Sequence, residues 1–294
     1  MFYRQRERSH QKGNAAMLSF FKRHQKASVI EHHHSPFTYL TLSEFVKPMT
    51  IVEFETAQQS LENASEWLYQ LNKRKTGTDC DNFSRKDVEN GSYQEVLSRA
   101  LSRRAIPIVL TNCAESVLSS MPVLFSGSEE VGLVNLSHSM GLKATLDVKL
   151  GTAFHFALTR YHNTRAFFVG VNESHTSSAV WEHAEDLGCN WLTEKEFTFR
   201  HRNDCKEHLG SFIDHCDRLV LSIDLASIVA KASIEDCQAL DMQMVMRTLR
   251  QCLLSGKTTF IQIVGDRDKL IYSRECKNML EELDQLTDLL HYAA

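Results

Sequence analysis

The chain has 294 residues, 43% hydrophobic and 24% charged, with a formal net charge of −4 at pH 7. That is ordinary globular usage, with enough apolar material for a core of normal size, and its small negative charge supplies no field favouring nucleic acid or an anionic membrane. No apolar run approaches the roughly 20 residues of a membrane span, and the eight cysteines never form a C-x-x-C pair. Without a hydrophobic leader, they are expected as free thiols in a reducing, cytoplasmic compartment.

In chain order, residues 1–26 carry Arg4, Arg6, Arg8, Lys12, Lys22, Arg23 and Lys26 against Glu7. A targeting or anion-binding arm is one reading; a solvated, poorly ordered terminus is the blander one. The run His32-His33-His34 reads as a surface loop, because three adjacent imidazoles do not face one ion. Thr50–Phe54 is expected as a first strand. Helical spacing follows at Phe54, Ala57, Leu61, Ala64, Leu68 and Leu71, with Trp67 beside that stripe. Segment 73–92, with Gly77 and Gly91, reads as a loop or hinge. The expected division is therefore a basic, poorly ordered segment over 1–49 and a single domain over 50–294.

From there strands and helices alternate. Strands are predicted at Ile106–Thr111, Gly132–Leu136, Ala166–Val171, Asn190–Thr193, Leu219–Asp224 and Thr258–Val264. Several are unbroken aliphatic runs, as strands covered on both faces require. Helices are predicted over Ser178–Leu187 and Cys237–Ser255, with Gly188 and Gly256 where a left-handed C-terminal cap belongs. A last helix over 274–291 aligns Met279, Leu280, Leu283, Leu286, Leu289 and Leu290. The alternation implies a mostly parallel sheet with helices on both faces, and ligand sites in such sheets lie at the carboxyl ends of the strands.

Several strand ends carry a resemblance. RAFFVGVNESHTSSAVWEHAEDLG (165–188) resembles the strand, Asn/Ser loop and helix of formimidoylglutamases, and Gly151-Thr152-Ala153-Phe154-His155 is similar to their GTPF segment. PIVLTNCAES (107–116) resembles I-L-G-G-G-H-E, VGLVNLSHSMGLK (131–143) resembles I-N-F-D-A-H-F-D-L-R, and DRLVLSIDLASI (217–228) resembles L-T-I-D-L-D-V-L. The order is collinear over about 105–290. The resemblance is to the arginase, agmatinase and formimidoylglutamase superfamily, and implies its three-layer α/β fold.

Those enzymes hold two Mn²⁺ ions that share a hydroxide, which attacks a guanidine-type carbon. The pair needs several carboxylates to offset its charge, and D-x-H-x-D on a strand aims three ligands at one point. Here the matching positions are Ser137, Ser139 and Gly141, the turn histidine is Ala114, and the final carboxylate pair is Asp224 and Ala226. A further family glutamate falls near Val264 or Gly265. His138 sits one residue off the ligand register, so on a regular strand it points to the other face. No equivalent of the family's Gly/Arg-rich loop after the first strand is present. Small neutral residues replace the carboxylates together, so no metal cofactor is expected and no catalytic residue is assigned.

The expected function is that of a non-catalytic ureohydrolase-like protein with a binding, regulatory or assembly role. It would act as a homo-oligomer or with an active relative, and without nucleic acid or membrane. One alternative is a Mn²⁺-dependent C–N hydrolase of linear amidines. A second is a small-molecule binding module using a neutral cleft formed by Asn112, Glu115, His138, Lys143, Gly151, Thr152, Phe154, Asn172 and Asp224. The residues suggest two further chemistries. His201, Cys205, His208, His215 and Cys216 suggest a zinc site or an exposed His-rich helix. Cys113 is a candidate thiol nucleophile only if His138 or His155 serves as its base. Asp224 is expected either to pair with Lys143 or Lys149 in place of the metals or to cap the turn that follows it.

Overall fold

The computed structural model describes residues 36–72, 81–125, 127–230, 238–265 and 270–293. The basic arm, His32–His34, Cys80 and Cys237 lie outside them.

Eight parallel strands form one sheet: β1 Phe37–Ser43, β2 Asp81–Ser84, β3 Ile106–Thr111, β4 Val131–Leu136, β5 Thr164–Val171, β6 Asn190–Thr193, β7 Arg218–Asp224 and β8 Thr258–Val264. Their order across the sheet is β2-β1-β3-β8-β7-β4-β5-β6. Alternate side chains feed two cores, as a strand's two-residue period dictates. On one face Phe37, Ile108, Val134, Phe167, Leu221 and Ile261 pack with α1 Ile51–Asn72, α7 Arg202–Asp214, α8 Met242–Leu254 and α9 Arg274–Ala293. On the other, Leu40, Val109, Leu133, Phe168, Val220 and Phe260 pack with α3 Ser92–Ser102, α4 Val117–Leu124, α5 Ala153–Arg160 and α6 Ser178–Asp186. A short α2, Arg85–Glu89, follows β2. The result is the three-layer α/β architecture expected, and all six predicted strands are present. Gly188 and Gly256 take φ of 65° and 70° at their helix ends.

The N-terminal readings are corrected. Thr50–Phe54 does not form a strand; it opens α1. The Thr50 N–H donates to Glu53 Oε2 and the Glu53 N–H donates to Thr50 Oγ1, a reciprocal cap that starts a helix. The first strand is instead β1, which pairs with both β2 and β3. One compact unit runs from Ser35 to Ala294, so it begins ahead of residue 50. The described part of segment 73–92 is likewise not a loop: it forms β2 and α2, with Asp87 accepting from the Ser84 N–H and hydroxyl. Among the described residues six cysteines are free and buried, and no helix is long and apolar enough to cross a membrane.

Candidate functional site

The central strands β7 and β4 are neighbours, with Leu136 opposite Ile223. The next residue of each, Asp224 and Ser137, therefore emerges side by side at the carboxyl edge of the sheet. The Ser137 hydroxyl donates to Asp224 Oδ2 at 2.9 Å. The Ser227 hydroxyl donates to the same oxygen at 2.7 Å, and the Ala226 N–H donates to Oδ1 at 3.0 Å. Asp224 thus caps the 3₁₀ turn Leu225–Ser227. Both of its oxygens are engaged by neutral donors.

The neighbouring positions close on each other. The Ser139 N–H donates to Ser137 Oγ, and Ser139 Oγ accepts from the Gly141 N–H. Gly141 O accepts from the Phe154 and His155 N–H groups, which ties the start of α5 to this edge. Ala114 O accepts from Gln262 Nε2, which also donates to Ser222 Oγ. Beneath Ser137 and Asp224 a buried polar tier therefore runs through Gln262, Ser222 and Asn135, opposite one another on β8, β7 and β4. Val264 ends β8, and Gly265 donates its N–H to Thr111 O.

Of the two expectations for Asp224 the turn cap is present and the lysine pairing is not, and one cleft residue is reassigned. Lys143 and Lys149 are exposed, and the Lys143 chain lies along Gly151. Among the described residues neither pairs with Asp224, because neutral donors already fill that carboxylate. Phe154 is a core side chain, not a cleft wall: its ring meets Phe168 edge-on with centroids 5.6 Å apart.

The other cleft candidates hold backbone. Glu115 Oε1 accepts from the N–H groups of Gly151, Thr152 and Ala153 at 2.8, 3.0 and 3.3 Å. Burial nevertheless raises its pKa against those donors. The Asn112 amide grips Glu44 at both its N–H and its C=O. The Thr152 hydroxyl donates to Lys149 O. Asn172 donates to Glu194 Oε2 at 2.7 Å and accepts from the His175 N–H. His138 keeps away from the Ser137–Asp224 pair; its Nδ1 lies 3.0 Å from Gly170 O and 3.8 Å from Glu194 Oε2.

Neither additional chemistry finds its geometry. Burial drives the Cys113 thiol far above its ordinary range, with the Glu115 charge adding to it, and Ser116 Oγ is its neighbour at 3.4 Å. Cys205 and Cys216 turn inward onto backbone carbonyls, and His215 Nδ1 lies on Ser211 O. Among the described residues no three His, Cys, Asp or Glu side chains converge in a metal-binding group.

Sequence reasoning missed Ser227, Glu44, Glu194 and the buried Gln262. The last was visible as a glutamine inside the otherwise apolar stretch 260–264, where a polar group needs partners. Ser227 stands three residues after Asp224, the spacing at which a 3₁₀ turn brings side chains together. Glu44 and Glu194 follow strand ends without any local pattern.

No protein-family profile matches the chain. In sequence it is 21% identical over 222 residues to the formimidoylglutamase of Psychrobacter cryohalolentis, a match covering 68% of this chain and 64% of that protein. In structure it superposes on the formimidoylglutamase of Bacillus subtilis with a TM-score of 0.64 at 15% identity, covering 85% of this chain and 87% of that one. The arginase of Bacillus cereus gives 0.66 at 9% identity, covering 85% and 97%. The arginase-like fold expected from five collinear segments is therefore present, and the sequence likeness is to a formimidoylglutamase.

Proposed function

We propose that this chain is a non-catalytic ureohydrolase-like protein, acting in the cytoplasm through binding or through assembly with itself or an active relative. The observation that carries this reading is Asp224. It is the one carboxylate at the positions matching the family's metal ligands, and its oxygens are taken by Ser137, Ser227 and Ala226. The group implied by the fold is a pair of Mn²⁺ ions, and the residues present do not fit it. Hard dications want several carboxylate oxygens, whereas Ser137, Ser139, Gly141, Ala114 and Ala226 supply none. One carboxylate would leave about three positive charges without compensation.

The retained strand-end architecture supports a surviving binding or scaffolding role. Asn112, Glu115 and Asn172 still hold the loops around the edge by side chain to backbone hydrogen bonds.

The test is manganese itself. Elemental analysis of the purified protein is expected to find no stoichiometric manganese, and millimolar Mn²⁺ is expected to leave the melting temperature unchanged, because a ligand stabilises only the state it binds. A rise of several degrees, or one or two equivalents of bound manganese, would overturn the non-catalytic reading in favour of the competing one, a metal-dependent hydrolase of linear amidines.

A further inference from the structure

Two imidazoles away from the strand-end site meet nitrogen to nitrogen. His155 Nδ1 on α5 lies 2.9 Å from His183 Nε2 on α6, with ring centroids 5.1 Å apart and ring planes inclined at 47°. One ring donates its N–H to the other's lone pair. Both side chains are partly exposed at the helix surface. We propose that this pair is a two-histidine site for an imidazole-preferring divalent transition metal, Ni²⁺ or Cu²⁺, that links α5 to α6.

The geometry carries it. Metal–imidazole bonds are about 2.0–2.1 Å long, so nitrogens 2.9 Å apart subtend about 90° at a shared ion. That is the angle between neighbouring ligands in an octahedral or tetragonal sphere, the preference of Ni²⁺ and Cu²⁺. The rings need only turn toward a common point, which partly exposed side chains permit. The pair supplies two ligands and water the rest, since no three such groups converge among the described residues.

Proton bookkeeping is also favourable. Burial first, then the charges of His183 and Arg160, hold His155 below the ordinary imidazole range, so its neutral, ligating form prevails at pH 7. On metal entry the ring that donated its N–H passes the proton through water to its far nitrogen. Both facing lone pairs then point at the ion, and no net proton is released from a neutral pair. Mn²⁺ is the weakest of these ions at imidazole sites, so this site leaves the manganese test above unaffected.

The location gives the link a consequence. His155 follows the Gly151–Ala153 loop that grips Glu115, and α6 follows the loop held by Asn172. A bound dication would staple together the elements that continue from these two loops.

Titration calorimetry with Ni²⁺ alone is expected to show one equivalent that disappears, or weakens about tenfold or more, in both H155Q and H183Q. Equivalents taken by other histidines should persist in both. In the unmodified protein, one equivalent of Ni²⁺ should shield His155 and His183 together from diethyl pyrocarbonate, read by mass spectrometry of the two peptides. This second measurement stands even if a substitution disturbs folding. Superimposable isotherms for H183Q and the native chain, or undiminished modification of both imidazoles under Ni²⁺, would overturn the site.

Discussion

At the scale of single residues, Asp224 and Glu115 are two carboxylates handled in opposite ways. Asp224 satisfies three donors and is satisfied by them. Replacing it by alanine leaves the Ser137 and Ser227 hydroxyls and the Ala226 N–H without their acceptor, at about 1–3 kcal/mol. Asn keeps one acceptor oxygen, and hydroxyls can rotate to accept from its amide, so D224N should cost no more than about 1 kcal/mol. A urea midpoint that does not move in D224A would show that the cap contributes nothing. Glu115 accepts three N–H groups, yet burial keeps its pKa above the ordinary value of 4.5. A raised folded value means that the native state holds the proton more firmly than the unfolded chain. The associated stability is complete below pH 4.5 and is lost as pH rises through the folded value. E115Q retains the accepting oxygen but never ionises. The stability of the native chain relative to E115Q should therefore fall as pH rises from 4.5, and a difference that stays constant between pH 4.5 and 8 would remove the burial argument.

At the scale of elements, the strands that were legible are those whose sequence needs no partner to be recognised. Ile106–Thr111 and the Phe260–Val264 part of β8, interrupted only by Gln262, are largely apolar runs of the kind a doubly covered strand requires. Asp81–Ser84 has a single buried apolar residue, Phe83, and is a strand because β1 offers it a ladder. No local pattern carries that information. The Thr50–Glu53 spacing, in contrast, is a helix-start signal, and it overlaps the β-branched run Thr50-Ile51-Val52, which favours a strand. Strand β5 hides a subtler feature. Its pairing with β6 slips between Val169 and Val171, and Gly170 takes φ 86° at the slip. This bulge presents Gly170 O to His138 Nδ1. A Cβ at Gly170 would stand 2.6 and 2.7 Å from the methyl carbons of Leu240, in a backbone region that side chains disfavour. G170A should therefore lose about 2–4 kcal/mol in urea unfolding. A loss below about 1 kcal/mol would mean that strand and Leu240 relax together.

At the scale of the whole molecule, the fold was legible because the two-residue period and the strand–helix alternation repeat along most of the chain, so an error in one element leaves the layer architecture standing. The site was legible only as replaced positions. Ser137, Ser139 and Asp224 could be placed by resemblance, but the Ser137 hydroxyl reaches Asp224 only through the pairing of β4 with β7, which sequence spacing does not encode. The least legible part, the N-terminal edge, nevertheless supplies packing to both faces of the sheet. β1 lies between β2 and β3 and buries Phe37, Tyr39, Leu40 and Leu42 on its two faces. Its following residue Glu44 is clamped by Asn112. Each large buried side chain contributes about 1.5–3 kcal/mol, so losing these four removes an amount comparable to the about 5–15 kcal/mol that separates folded from unfolded domains. The deletion would also expose the edge of β3 and strip β2 of its pairing with β1. A chain beginning at residue 50 should therefore show no cooperative urea transition and no near-ultraviolet dichroism. A chain beginning at residue 35 keeps all eight strands and serves as the reference. A sharp transition in the shorter chain, at the midpoint of the reference, would show that β1 is an ornament on a sheet complete without it.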